Sequence, residues 1–250
     1  RQSGGNKIAE NAQRINNNKI PNLNNEKGSR FNFLNIANST EIIQTVKSLM
    51  FDTIPKATGI PPQDIQVMCP VKGGEVGVEN LNFEIRKKFI EMSDEIFINE
   101  IKTANGLFRV GDKVMQTTNR YNATILNAQE LNLQDEGVYN GDVGYVIGIE
   151  REARIMKVEF ADKKIVLYKD EELNDLILAY AITIHKSQGS EFPIAIIVLQ
   201  SQFNLTKSLL YTAVTRAKRS VVIISTKQII THAVGTNGEK ERYTFLKEFL

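Results

Sequence analysis

The chain has 250 residues, of which 42% are hydrophobic and 24% charged, a balance typical of a globular protein rather than a disordered or fibrous one. The 31 Lys and Arg residues against 29 Asp and Glu residues exclude a strongly basic arm, and one cysteine, Cys69, excludes an internal disulfide framework. The longest apolar runs are far too short to span a bilayer, and the chain begins at Arg1 without a signal peptide, so we expect a part of a longer cytoplasmic protein.

The N-terminal part of the chain alternates between helical and strand-like patterns. Apolar residues three or four positions apart predict an amphipathic first helix, and Ser39-Thr40 is suited to cap a second one. Lys72-Gly73-Gly74 predicts a turn after a buried strand. The predicted elements are helices over 6–18, 39–51 and 78–90 and strands over 31–36 and 65–69.

The middle of the chain has a different pattern, because short strand-like runs separated by turn signals replace the alternation. This part is also acidic, with twelve acidic and six basic residues from Glu130 to Asp175. Both features predict a small β module inserted between two α/β parts. Its strands are predicted over 108–117, 144–149, 153–160 and 164–168, with turns at 140–141 and 161–162.

The α/β pattern returns after the inserted module. Strands that alternate with helices predict a mainly parallel sheet covered on both faces, so the predicted fold class is α/β. The predicted elements are strands over 178–184, 194–199 and 220–225 and helices over 205–217, 227–234 and 242–250. The predicted division places residues 1–107 and 171–250 in the parallel-sheet domain and residues 108–170 in the inserted region.

The segment Ala179–Pro193, AYAITIHKSQGSEFP, carries the strongest functional signal. A short apolar strand leads into hydroxyl, amide and charged side chains, and open α/β sheets bind ligands at the carboxyl ends of their strands. The Ser, Thr, Lys and His side chains suit contacts with phosphate, and the Glu191 carboxylate can accept hydrogen bonds from ribose hydroxyls. The alternative interpretation is a polar loop between two core strands.

A second segment, Leu209–Arg219 with the sequence LLYTAVTRAKR, predicts a helix whose apolar stripe ends near Arg216. An arginine in such a position can stabilise the charge that develops on a transferring phosphoryl group. The alternative is a basic helix end that complements the helix dipole. From Phe192 to Gly238 there are five basic residues and no acidic ones, which suits either an anion-binding surface or an ordinary solvated face, and charge alone favours the solvated face.

In this order the two segments resemble motifs V and VI of superfamily 1 helicases, most closely those of the RecD-like family, which includes the alpha subunit of exodeoxyribonuclease V. Arg1-Gln2-Ser3 resembles the arginine–glutamine motif that opens that family's second RecA-like domain. Residues 65–82, IQVMCPVKGGEVGVENLN, resemble its proline, glycine and leucine–asparagine motif. FRVGDKVMQTTNRY and YNGDVG resemble the start of its inserted Src-homology-3-like barrel. The resemblance implies a RecA-like parallel-sheet domain with a small inserted β-barrel.

The chain also departs from the family. It has no G-x-x-x-x-G-K-[ST] P-loop, so the resemblance implies that a missing N-terminal RecA-like domain of the same parent protein supplies that motif. Ile85-Arg86 stands where the family often has Gln, and Gln129–Gly137 lengthens the approach to the barrel. We interpret Asp94-Glu95 as an exposed helix end rather than a Walker B pair. The chain offers no convincing cluster of carboxylates for a nuclease, so we assign it no metal site.

The resemblance implies a role for each residue that matches a family motif. The catalytic residues would be Arg216 and Arg1, which would reach the γ-phosphate of ATP. The nucleotide contacts would be Glu191 to the ribose, with Gln188 and Gly189 beside it, and Gln188 would couple the nucleotide to DNA. The residues that would contact the single-strand backbone are Thr183, His185, Lys186 and Lys72.

The resemblance therefore implies the C-terminal part of an ATP-dependent 5′-to-3′ DNA helicase. It implies ATP and Mg²⁺ as cofactors and, as partners, single-stranded DNA, the N-terminal RecA-like domain and, in a complex, other nuclease–helicase subunits. One alternative is a non-catalytic single-strand-binding subunit or clamp module. Another is a nucleotide-binding α/β enzyme of a different class, which would not need both motifs. A P-loop upstream of Arg1 in the parent sequence would favour the helicase over the clamp.

Overall fold

The computed structural model describes residues 7–26, 28–92, 100–127, 137–160 and 163–236. The sequence predictions on Arg1-Gln2-Ser3, Asp94-Glu95, most of Gln129–Gly137, Ala161-Asp162 and 242–250 lie outside these residues. In the part that is described, no helix is long and apolar enough to cross a membrane.

The described elements alternate in the order that the sequence predicts. The strands are β1 (Phe31–Asn35), β2 (Ile65–Cys69), β3 (Glu100–Thr103), β4 (Gly106–Arg109), β5 (Lys113–Gln116), β6 (Thr124–Ile125), β7 (Val143–Glu150), β8 (Ile155–Phe160), β9 (Ile165–Lys169), β10 (Leu176–Leu178), β11 (Ala181–Thr183), β12 (Phe192–Val198) and β13 (Ala217–Ser225). The α-helices are α1 (Lys7–Asn16), α2 (Ser39–Ser48), α3 (Ile54–Thr58), α4 (Val78–Met92), α5 (Lys207–Thr215) and α6 (Lys227–Gly235).

A five-stranded parallel sheet forms the larger part of the fold, with the strand order β1-β13-β12-β2-β11. Its strands are apolar on both faces because helices cover both faces. Ile197 of β12 packs in the cluster that includes α1, α5 and α6, whereas its neighbour Ile196 packs in the cluster that includes α2 and α4. This confirms the predicted α/β class with a covered parallel sheet.

The middle of the chain forms a six-stranded antiparallel sheet with the order β10-β5-β7-β8-β9-β6, which we call the antiparallel module. In β8, half-buried residues alternate with buried ones, as expected of a sheet with one face toward its own core. Met156, Val158 and Tyr168 are fully buried in that core. The structure has strands where the sequence predicts the inserted β module. The division at residues 107/108 and 170/171 stays a prediction.

Two predicted strands are wrong in their extent. The run predicted as one strand over 108–117 is divided by a turn into β4, which pairs with β3, and β5, which pairs with β7 and β10. The apolar run predicted as a single strand over 178–184 is divided between the two sheets, since β10 pairs with β5 of the antiparallel module and β11 pairs with β2 of the parallel sheet. Two buried amides hold the junction: Gln66 Nε2 donates to the carbonyl of Ala179 at 3.1 Å, and Asn82 bonds both the N–H and the C=O of Ala181 at 2.8 Å. An apolar run has no local signal for such a change of partner, so only the long-range contacts determine it.

The second predicted helix also differs from the prediction. It is regular only as far as Ser48, continues as a π-helical turn over Leu49–Thr53, and ends after α3 at Gly59, whose φ of 70° is left-handed. Glycine adopts this conformation without the steric cost of a Cβ atom, so the helical stretch ends ahead of Pro61-Pro62.

Candidate functional site

The predicted site residues lie at two opposite edges of the parallel sheet. Thr183 ends β11 at the carboxyl edge, directly beside Cys69 at the end of β2. Glu191 and Arg216 come immediately before β12 and β13, whose first residues are paired, so both lie at the amino edge. The polar residues of the motif V segment therefore do not all lie at the carboxyl edge, because residues 184–191 run from one edge of the sheet to the other.

Two lysines lie close together at the carboxyl edge. The Thr183 hydroxyl oxygen accepts a hydrogen bond from the backbone N–H of Lys186 at 3.3 Å, which holds the turn after β11. Burial, and to a smaller extent the charge of Lys72, lowers the pKa of the Lys186 ammonium. Two cations whose charges repel one another are stabilised by an anion between them. The predicted DNA contacts Thr183, Lys186 and Lys72 thus meet at one edge, and His185 is exposed beside them.

The loop that carries Lys72 is closed by backbone contacts. The carbonyl of Lys72 accepts a hydrogen bond from the N–H of Glu79 in the first turn of α4 at 3.0 Å. Gly77 is buried under this closure, and a Cβ atom at Gly77 would lie 2.2 Å from the carbonyl oxygen of Gly73. Gly77 therefore controls where the backbone of Lys72 lies, a role that the sequence pattern did not identify.

The polar side chains of the turn after β11 are of two kinds: one holds the turn, and others are exposed and free to contact a ligand. Ser187 is fully buried, and its hydroxyl donates to the carbonyl of Ile184 at 2.7 Å, so it holds the turn rather than a ligand. His185 and Gln188 are exposed. Gly189 has a left-handed φ of 86°, which allows the chain to turn back toward the amino edge.

The Arg216 side chain at the amino edge is directed onto the motif V segment. Its Nη1 donates to the carbonyl of Ser190 at 3.1 Å, its Nε to the carbonyl of Thr212 at 3.3 Å, and its Nη2 to the hydroxyl of Thr215 at 3.3 Å. These bonds use three of the five N–H donors of a guanidinium. In addition, the carbonyl of Arg216 accepts from the N–H of Phe192 at 2.9 Å. Motifs V and VI are thus in direct contact.

The Glu191 side chain borders a cleft of about 520 Å³ between the sheet edge and the antiparallel module. Its carboxylate is exposed and pairs with Lys218 Nζ at 3.2 Å. Across the cleft, the buried Lys113 donates to the carbonyl of Gln63 at 2.9 Å, and the Tyr145 hydroxyl donates to the same carbonyl at 3.0 Å. Burial lowers the pKa of Lys113 to about 8. Lys113 and Tyr145 occur in an ordinary strand pattern, which carries no signal for a position at this cleft.

The amino edge carries side chains of the kind that contact a nucleotide. A carboxylate and a guanidinium at the same edge suit a ribose and a phosphate, as in Glu191 and Arg216. A divalent metal needs several oxygen or nitrogen ligands together. Across the described residues, however, no three His, Cys, Asp or Glu side chains come together as such a site.

Two families match consecutive parts of the chain. Residues 178–224 match the UvrD-like helicase C-terminal domain, a range that contains Thr183, Glu191 and Arg216. Residues 81–160 match the SH3 domain of the ATP-dependent RecD-like DNA helicases, which covers most of α4 and much of the antiparallel module.

Curated relatives agree with these families. Over 159 residues the chain is 33% identical to the ATP-dependent RecD2 DNA helicase of Deinococcus radiodurans. The aligned residues make up 63% of this chain and 19% of that protein. Over 172 residues it is 28% identical to the RecBCD enzyme subunit RecD of Haemophilus influenzae, covering 68% of the chain and 23% of that protein. The chain therefore spans about a fifth of the length of these two relatives.

The fold is similar to that of a solved helicase. The crystal structure of Pif1 helicase from Bacteroides in complex with ADP-AlF3 and ssDNA aligns with a TM-score of 0.53 at 19% identity, covering 99% of this chain and 54% of that chain. Sheet order, site and matches together define the C-terminal RecA-like region of a helicase. Within that class, the RecD-type SH3 match and the RecD relatives confirm the resemblance to the RecD-like family seen in the sequence.

Proposed function

We propose that the chain is the C-terminal RecA-like motor region of an ATP-dependent 5′-to-3′ DNA helicase. It works with a P-loop-bearing RecA-like domain of the same parent protein, which supplies the main contacts to Mg²⁺ and the phosphates. The observation that carries the proposal is the hydrogen bond from the Arg216 guanidinium to the carbonyl of Ser190, since it joins motif VI to the segment that begins at Thr183.

This geometry suggests how the nucleotide and the DNA are coupled. Residues 184–191 link the carboxyl edge, with Lys72, Thr183 and Lys186, to the amino edge, with Glu191 and Arg216. ATP between two RecA-like domains draws them together, and hydrolysis lets them separate. A shift at Arg216 acts on Ser190 and through that segment reaches the single-strand contacts, with Gln188 in between. Arg1 stays a predicted second γ-phosphate contact, outside the described residues.

The partners follow from the same proposal. Single-stranded DNA binds at the carboxyl edge, in keeping with the ssDNA named for the Bacteroides Pif1 complex. Subunits of a nuclease–helicase assembly are proposed as further partners because one group of relatives is named as RecD subunits of the RecBCD enzyme. The proposed location is the cytoplasm, which contains DNA. Its reducing environment also suits a chain with a single cysteine.

We expect the 250-residue chain alone to show no DNA-stimulated ATP hydrolysis, because it contains no P-loop to hold Mg²⁺ and the phosphates. The measurement is phosphate release with and without single-stranded DNA, compared with the parent protein that contains the P-loop domain. Turnover by the chain alone that Arg216→Ala abolishes would contradict this division of roles. An inactive parent protein with an intact P-loop would favour the clamp interpretation instead.

We expect the chain alone to bind single-stranded DNA weakly and with strong dependence on salt, since lysine–phosphate contacts release counterions. Lys72→Gln with Lys186→Gln should reduce the slope of log affinity against log salt by about 0.7 for each phosphate that the lysines no longer neutralise. Fluorescence anisotropy with a labelled oligonucleotide at several salt concentrations measures the slope. The matched control is Lys169→Gln, an exposed lysine of the antiparallel module, which should leave the slope unchanged. An equal effect of both variants would remove the carboxyl edge from the DNA-binding surface.

A further inference from the structure

A buried carboxylate lies where the antiparallel module meets the parallel sheet. Asp112, just before β5, is 4% exposed and accepts a two-pronged ion pair from Arg86 of α4, with Nε to Oδ1 at 2.9 Å and Nη2 to Oδ2 at 2.6 Å. The Tyr180 hydroxyl donates to Oδ1 at 3.1 Å, and the N–H of Arg109 donates to Oδ2 at 2.8 Å. Each carboxylate oxygen therefore has two donors.

The donors come from a hairpin next to the antiparallel module, from the junction between the sheets and from a helix of the parallel-sheet domain. Arg109 belongs to the hairpin just before the antiparallel module, whereas Arg86 lies on α4, which packs on the parallel sheet. Tyr180 is part of the junction between β10 and β11, and its ring stacks on Phe89 of α4 with the ring centroids 5.0 Å apart. Asp112 thus connects the module, the junction and a helix of the parallel-sheet domain in one network.

The next residue makes a second connection on the opposite side. Successive side chains of a strand point to opposite faces, and Lys113 donates to the carbonyl of Gln63, just before β2, at 2.9 Å. The backbone carbonyl of Lys113 accepts from the N–H of Ala179 at 2.9 Å. Two consecutive buried charges of opposite sign therefore contact the parallel-sheet domain from both sides of one strand.

We propose that Asp112 is a positioning residue that sets the orientation of the antiparallel module on the parallel sheet, with Lys113 as its second anchor. A buried ion pair often adds little net stability compared with apolar side chains of the same volume. A planar guanidinium paired with a carboxylate nevertheless imposes a direction that apolar contacts do not. The sequence flagged Arg86 as a departure from the family pattern, and the structure assigns it this partner.

The orientation has a consequence for the cleft beside Glu191. One wall of that cleft is the antiparallel module, through Lys113 and Tyr145, and the other is the amino edge of the parallel sheet. A module that tilts would open or close the cleft. The inference concerns the orientation itself and does not depend on the proposed helicase function.

The orientation can be measured by the distance between two spin labels on the purified chain. Ile147→Cys on β7, 41% exposed, labels the module, and Ser208→Cys on α5 labels the parallel-sheet domain. The native Cys69 stays in place, because burial raises the pKa of its thiol to about 12 and leaves it unreactive at neutral pH. We expect one narrow distance distribution for the otherwise unchanged chain.

Asp112→Asn should broaden this distribution or add a second population, with secondary structure retained. The matched control is Glu150→Gln, which removes an ion pair to Lys157 within the module and should leave the distribution narrow. The double variant Arg86→Met with Asp112→Leu separates orientation from stability. It should recover most of the melting temperature, as apolar replacements of buried ion pairs do, while its distribution stays broad.

A narrow, unshifted distribution in folded Asp112→Asn or in the double variant would overturn the proposal and leave the network with a stabilising role alone. If Asp112→Asn does not fold, the double variant decides. If neither folds, Tyr180→Phe decides. It removes one hydroxyl that donates to Asp112, and a broadened distribution supports the proposal while an unchanged one overturns it.

Discussion

Arg216→Lys in the parent protein should lower ATP turnover by about 10³–10⁵, the range that arginine fingers contribute. Lysine offers a single point charge, whereas the Arg216 guanidinium reaches the carbonyls of Ser190 and Thr212 and retains donors for a phosphoryl group. Single-strand affinity should change little, because the proposed DNA contacts lie at the opposite edge of the sheet. Steady-state ATPase rates with saturating single-stranded DNA measure the effect.

The control for this prediction is Arg219→Lys, an exposed arginine of β13 that should keep normal turnover. The melting temperature is measured on both variants, since Arg216 also follows directly on α5 and stabilises a helix end. A lower melting temperature with near-normal turnover would make Arg216 a helix-end residue and remove it from the site. A loss of turnover equal in both variants would mean that the effect is not specific to the position of Arg216.

Gly77→Ala should destabilise the chain by about 1–3 kcal/mol, the typical cost of an added group that a packed site cannot accommodate. The new Cβ would lie 2.2 Å from the Gly73 carbonyl oxygen and 2.5 Å from that of Lys72, and backbone atoms cannot move aside as a flexible side chain can. Because the loop must shift, single-strand affinity should also fall in conditions where the variant is folded. Chemical denaturation and anisotropy measure the two effects.

Gly73→Ala is the matched control, since it lies in the same loop and its Cβ would meet nothing within 4 Å. It should leave stability and affinity close to those of the unchanged chain. Equal stability of the two variants would mean that the loop does not depend on the close approach at Gly77. Normal DNA affinity in a destabilised Gly77→Ala would separate the loop conformation from DNA binding.

Much of the fold follows from local pattern. Apolar spacing predicted α1, with Ile8, Ala12 and Ile15 all buried, and an apolar run predicted β2, of which every residue is buried. These elements are predictable because each keeps one burial pattern along its whole length, a helical period in α1 and a continuous buried run in β2. The motif segments were predictable for a different reason, since motifs V and VI are recognisable as a pair in their order and spacing.

Sequence patterns fail to predict the structure where a single apolar run contributes to two different sheets. Residues 178–184 form one apolar run, yet it leaves one sheet at Leu178 and joins another at Ala181, because the amides of Gln66 and Asn82 bond the backbone between them. Both amides are distant in sequence from the junction. No local sequence pattern therefore indicates that the Gln66 and Asn82 amides contact the junction.

The sequence by itself determined the alternation of helices and strands, the inserted β module and the two motifs that indicate a RecD-like helicase region. The tertiary structure alone decided that Thr183 lies at one edge of the sheet and Glu191 with Arg216 at the other. It also decided that Arg86 and Asp112 pair in the interior. The physical reason is that periodicity records which side of an element is buried, whereas strand register and buried charge partners depend on contacts between residues far apart in the chain.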